Sequence, residues 1–303
     1  MNLGEIPYIG EWMAIINAML WAIAFILFKI SGHTIAPFSL NLFKNTLGSI
    51  CLALTLVLFR SIIPTSAPLA DILWLVGSGI LGIAIADTLM FKALNILGAS
   101  RSALVDCLYS PFIIFFSFLF LRESITWPKL VGMLLMILSI PLVYSDRKKN
   151  PISNDAFLKG LLWGTLAMAS MAIGIVYIKP ILERYPVLWT TSVRMIGGTI
   201  AMFVFAVFQK NSKAIFSIFK PQAAWKFALP SSFLGAFPCI LLWVGSFTYA
   251  DASIAGLITQ LSVFFTVILA GIFLQEKLTL NKWLAVAIAF LGSAIATFHE
   301  HLL

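Results

Sequence analysis

Five ionisable side chains lie inside apolar stretches long enough to cross a lipid bilayer: Lys44, Asp87, Lys92, Asp106 and Arg194. A charge at that depth costs at least about 2.5–3.5 kcal/mol on insertion scales, so such groups face protein or a wet cavity and mark ion pairs, proton relays or a contact for a charged solute. Lys44 lies about two turns inside its span, and Asp106 lies at a similar depth from the same membrane side, with Lys92 toward that side too. The spacing predicts one charge cluster of Lys44, Lys92 and Asp106. In it Asp106 is the paired, structural member, and Asp87, more than a turn deeper, is the proton or substrate contact. The plainer alternative is a salt bridge that only locks helices together. Other polar or aromatic groups near mid-span are Asn17, Trp21, Tyr109, Tyr177, Trp243 and Gln260. They supply either interhelical packing or the aromatic walls and few convergent polar groups that a small organic ligand needs.

Other chemistries find no support in the residue pattern. His33, His299 and His301 fall at span ends or the tail, and Cys51, Cys107 and Cys239 sit in apolar spans without a CxxC spacing. No metal, cofactor or disulfide is therefore expected, and the cysteines read as small buried hydrophobes. No GxxxxGK[ST] run is present, so ATP does not drive this chain directly. An intramembrane enzyme would need a nucleophile, base or ligand cluster that the pattern lacks. The net charge of +8 comes largely from basic residues beside span ends, which points to lipid head groups and orientation rather than nucleic acid.

The elements that carry these residues follow from composition. With 61% hydrophobic and 11% charged residues and a mean hydropathy of +1.01, the chain has too little polar surface for a soluble domain, where charged residues run near ~25%. Apolar runs of bilayer length predict helices over 11–31, 37–59, 71–95, 100–121 and 128–145, then 157–178, 187–208, 225–247, 252–274 and 281–299. The runs are continuous rather than alternating, which excludes barrel strands. Pro111 predicts a kink in the fourth span. Small residues four apart, such as Ser78, Gly82 and Ala86 or Ala285, Ala289, Ser293 and Thr297, predict close helix approaches.

The same pattern occurs twice. Ala99-Ser100, Leu108, Phe112, Phe120-Leu121, Glu123, Thr126 and Lys129 recur 153 positions later as Ala252-Ser253, Leu261, Phe265, Phe273-Leu274, Glu276, Thr279 and Lys282. Earlier segments align at an offset of 150, where Lys44, Gly48 and Ile50 match Arg194, Gly198 and Ile200. The chain thus reads as an all-α membrane protein of ten transmembrane helices in two five-helix repeats, residues 1–145 and 157–303, joined by a polar linker at 146–156. Five spans per half is an odd number, so the second half enters the membrane inverted, with a solute site expected where the halves meet. Asp106 corresponds to Thr259, Asp87 to Ile240 and Lys92 to Gly245, and Pro111 to Phe264. The acids, and the kink, therefore belong to the first half only. A framework contact would be expected in both halves, so the asymmetry favours a solute or coupling role for the aspartates.

Of the 20 Lys and Arg, 12 flank loops after odd-numbered spans and five flank the other side. The positive-inside rule then places the linker in the cytoplasm and both termini outside.

Phe91-Lys92-Ala93-Leu94 leading to Gly98-Ala99-Ser100, then Pro111, then Leu121-Arg122-Glu123 with Thr126, form one motif series. Its partner in the second half is Ala250-Asp251-Ala252-Ser253 leading to Leu274-Gln275-Glu276-Lys277. On these motifs the chain resembles the EamA-type transporters of the drug/metabolite transporter superfamily. The resemblance implies export or exchange of small metabolites, amino acids among them, through a central cavity between the halves, often coupled to protons, and the chain reads as a secondary transporter of the cytoplasmic membrane, a monomer or homodimer, that works by alternating access. It also implies cytoplasmic termini, opposite to the charge count. A passive channel is the remaining alternative.

Overall fold

The computed structural model describes residues 7–59, 63–64, 66–145, 152–250, 255 and 258–298. Among them there are helices and no strands. We label the long helices α1 (Ile9–Ser31), α2 (Pro37–Leu58), α3 (Leu69–Leu97), α4 (Ala99–Leu121), α5 (Trp127–Ser145), α6 (Asn154–Val176), α7 (Val187–Val207), α8 (Trp225–Tyr249), α9 (Leu261–Phe273) and α10 (Leu280–Phe298). Seven of these, α1–α4 and α6–α8, are long and apolar enough to cross a membrane, whereas α5, α9 and α10 hold shorter apolar stretches. Residues 146–151 of the expected linker and 252–254 at the start of the expected ninth span lie outside the described residues.

Local chemistry sets the ends. Pro37 opens α2, where a missing N–H costs nothing, and the Ser153 hydroxyl accepts from the Ala156 N–H at 3.2 Å to cap α6. Gly98, at φ 87° and ψ 171°, separates α3 from α4 in a backbone region open essentially to glycine alone.

The helix contacts form matched pairs. α1 packs on α8 and α9, while α6 packs on α3 and α4; α2 packs on α7 and α8, while α7 packs on α2 and α3; α5 packs on α10. Exchanging the first five helices for the last five maps this pattern onto itself. Glycines make the approaches close, and at equivalent places. A Cβ on Gly48 would stand 2.7 Å from the Ala236 carbonyl oxygen, and one on its counterpart Gly198 would stand 2.7 Å from the Gly79 carbonyl oxygen. Because both neighbours are backbone, neither can rotate away. Gly198→Ala is therefore expected to cost about 1–3 kcal/mol, read as a lower melting temperature in detergent. Gly82→Ala, whose nearest atom would be 3.6 Å away, should melt like the parent.

Several helices are interrupted at mid-depth. α3 contains a π-helical turn over Ile80–Ile85, α4 breaks between Asp106 and Tyr109, and α8 breaks at Phe237 just before Pro238. Pro111 accounts for the α4 break, since it has no N–H to bond the Cys107 carbonyl. The second half interrupts at the equivalent place, Gln260, although Phe264 stands where Pro111 does. The proline is confined to the first half, but the break recurs without it. In its place the Gln260 side-chain amide donates to the Ser110 hydroxyl at 2.6 Å, tying the two breaks together.

Candidate functional site

The π turn in α3 organises the polar residues around it. A π turn misaligns carbonyls that an α-helix would pair, and here side chains from other helices satisfy them. The Asn41 amide of α2 donates to the Ile83 and Ala84 carbonyls at 3.0 and 3.1 Å and to the Thr88 hydroxyl at 2.9 Å. The Ser170 hydroxyl of α6 donates to the Leu81 carbonyl at 2.8 Å. Asn45 extends the network by donating to Asn41 Oδ1 at 2.9 Å.

On either side of this turn α3 presents Ser78 and Asp87, and each receives one of the two deep bases. Lys44 Nζ pairs with Asp87 Oδ2, both side chains being almost fully buried, and lies 5.6 Å from the centroid of the Phe91 ring. Arg194 Nε donates to Ser78 Oγ at 2.9 Å, and Ser78 in turn donates to the Gly174 carbonyl. Arg194 Nη1 is buried and has no hydrogen-bond partner. Asp87 and Tyr109 both lie within electrostatic reach of Arg194, and Asp106 within reach of Asp87. Tyr109 faces Trp243 at 6.5 Å between ring centroids, and Ser110 holds Gln260.

Lys44, Asp87, Asp106, Tyr109, Arg194, Trp243 and Gln260 thus gather where α3, α4 and α8 are interrupted and where α9 begins. The pairing differs from the expectation: Lys44 holds Asp87, not Asp106. The reason is lateral, since α2 packs beside α3 while α4 packs on α6 and α9. Equal depth in the membrane does not make two groups neighbours. Asp106 is half-buried, and among the described residues its carboxylate has no ion-pair or hydrogen-bond partner.

Lys92 does not join the cluster either. Five residues beyond Asp87 it points from another face of α3, and its ammonium sits 4.6 Å from the centroid of the Trp163 ring of α6. Tyr177 is not mid-span but follows the end of α6, donating to the Trp74 carbonyl at 2.9 Å. Trp21 packs on Phe25 at 6.2 Å, and Asn17 is buried on α1 with Oδ1 unpartnered. Among the described residues no group of three His, Cys, Asp or Glu could hold a metal ion. Asn41, Asn45 and Ser110 escaped the sequence reading, and Ser78 was read only as a small packing residue. The signal for the first two was present: two amides four apart on the span that carries Lys44.

The repeated Glu123 and Glu276 serve the frame. Each follows a residue in the left-handed region, Arg122 at φ 56° and Gln275 at φ 54°, and their N–H groups bond the equivalent carbonyls of Ser117 and Ala270. The turn aims Glu276 across to the other half, where its carboxylate accepts from the Ala99 and Ser100 N–H groups at 2.8 and 3.3 Å, capping the N-terminus of α4. Lys282 Nζ lies 3.4 Å from it. Burial pushes the Glu276 carboxyl up, but the Lys282 ammonium and the Ala99 and Ser100 N–H groups outweigh this and hold it below its ordinary value of 4.5. The folded state therefore binds this proton less readily than the unfolded one. The stabilisation is complete above about pH 4.5 and is lost as pH falls through the lowered value. Glu276→Gln should flatten that acid limb in a plot of melting temperature against pH.

Helices of membrane length, in two sets with interchanged contacts around buried charges, make this a multi-pass membrane protein. The chain belongs to the EamA-like transporter family, whose model matches residues 8–145 and, a second time, residues 158–298. An uncharacterized transporter of Archaeoglobus fulgidus is 22% identical over 262 residues, which cover 80% of this chain and 91% of that protein. A solved crystal structure with 17% identity superposes with a TM-score of 0.68 over 97% of this chain and 99% of its own, and shares the fold.

Proposed function

We propose that the protein is a secondary active transporter that exports or exchanges small metabolites such as amino acids, by alternating access of two inverted five-helix halves across the cytoplasmic membrane. The ten spans are the seven long helices together with α5, α9 and α10, and residues 146–156 link the halves on the cytoplasmic side. The observation that carries the reading is the buried Lys44, Asp87 and Arg194, with the half-buried Asp106, set around helix interruptions, a costly arrangement for packing alone. Arg194 offers an unpaired N–H to an anionic group, and Tyr109 and Trp243 offer aromatic walls. The self-mapping helix contacts support the two halves, and their odd helix number supports the inversion. Coupling to protons would run through the aspartates.

Liposomes containing the protein and preloaded with an amino acid mixture should take up labelled amino acid in a saturable way, accelerated by the internal pool. Linear uptake indifferent to that pool would make the protein a channel. Uptake no faster than in protein-free vesicles, across a metabolite panel that includes every ligand raising the melting temperature, would remove the transporter reading.

A further inference from the structure

A groove of about 620 Å³ runs down the side of the bundle between α2, α3 and α7. Its apolar walls include Phe38, Ile80, Ile85 and Phe205, of which Ile85 and Phe205 are exposed large hydrophobics on membrane-length helices. Such a surface meets lipid chains rather than water. From Ile80 to Lys92 the groove follows α3 for about 18 Å, close to the ~15 Å of hydrocarbon in one leaflet.

The mouth has a different character. Lys92 stands there with Gln209 and Asn211, and the connection that contributes those two residues carries the exposed Lys210 and Lys213. Among the described residues Lys92 has no carboxylate partner, only the face of Trp163. An unneutralised cation at the end of an apolar, leaflet-long trough matches a lipid with a negative head group. We propose that the groove holds one anionic phospholipid, an acyl chain lying along Ile80, Ile85 and Leu89 and the phosphate held by Lys92. The floor of the groove is the π turn between Ser78 and Asp87, so the lipid braces the segment that positions both partners of the deep bases.

Native mass spectrometry of the delipidated protein, titrated with dioleoyl phosphatidylglycerol or dioleoyl phosphatidylcholine, tests this. One phosphatidylglycerol should be retained in preference to phosphatidylcholine. Lys92→Gln should lower that preference about fivefold, the value of one basic residue near an anionic head group, and Lys92→Arg should restore it. Ala201→Phe, which fills the groove without touching the charge, should reduce binding of both lipids. The proposal fails if Lys92→Gln keeps the parent's preference, if Ala201→Phe binds phosphatidylglycerol as the parent does, or if inorganic phosphate displaces the lipid and so marks a free-anion site.

Discussion

Asp87→Ala is expected to destabilise the folded protein by about 3–5 kcal/mol, because it leaves the Lys44 ammonium buried without its counter-charge. Lys44 is 3% exposed, and the nearby Phe91 ring replaces neither the charge nor the hydrogen bond. Arg194 within electrostatic reach makes the loss worse, since two cations then face each other across the π turn. Adding Lys44→Met to Asp87→Ala removes the orphaned charge while keeping the volume, and should recover most of the loss. The measurement is the melting temperature of the four proteins in detergent, as a double-mutant cycle. If Asp87→Ala melts like the parent, or the double variant is no better than the single one, the pair is not what holds α2 to α3.

Asp106→Asn should do the opposite: fold normally and lose proton-driven accumulation. Its carboxylate is half-buried, has no partner among the described residues and lies within reach of Asp87, so its removal breaks no ion pair. Two neighbouring carboxylates titrate as a coupled pair, and the charge they carry shifts with any cation or substrate that enters between them. In liposomes with an imposed pH gradient, Asp106→Asn should exchange substrate at the parent's rate but accumulate none. Accumulation with an unchanged pH dependence would show that the coupling group lies elsewhere.

These two expectations reverse the roles that depth alone suggested for the aspartates, and the reversal shows where sequence reading stops. Depth along a span can be counted from residue numbers, whereas adjacency across the bundle cannot. The π turn was invisible for a related reason. Its carbonyls are satisfied by Asn41 and Ser170, from helices distant in sequence, so no local pattern in Ile80–Ile85 announces it. The recurrence of a break at Gln260 was likewise hidden, because the group that meets it, Ser110, lies 150 residues away. Lys92 was misplaced because five residues on a helix turn a side chain well away from its neighbour's face.

What the sequence determined by itself was the class of molecule and its seven long apolar helices. A continuous apolar run in a bilayer must satisfy its own backbone, and only a helix does so within one segment. Hence the expected 37–59 and 187–208 appear as Pro37–Leu58 and Val187–Val207. The internal repeat was equally legible, since positions such as Gly48 and Gly198 keep their type to allow the same close approach in each half. The tertiary structure alone decided which charges meet, which carbonyls are rescued and which cation stands apart from the charge cluster. Each of these depends on which helix packs beside which, and that choice is made by the summed fit of whole helix faces rather than by the residues of any one segment.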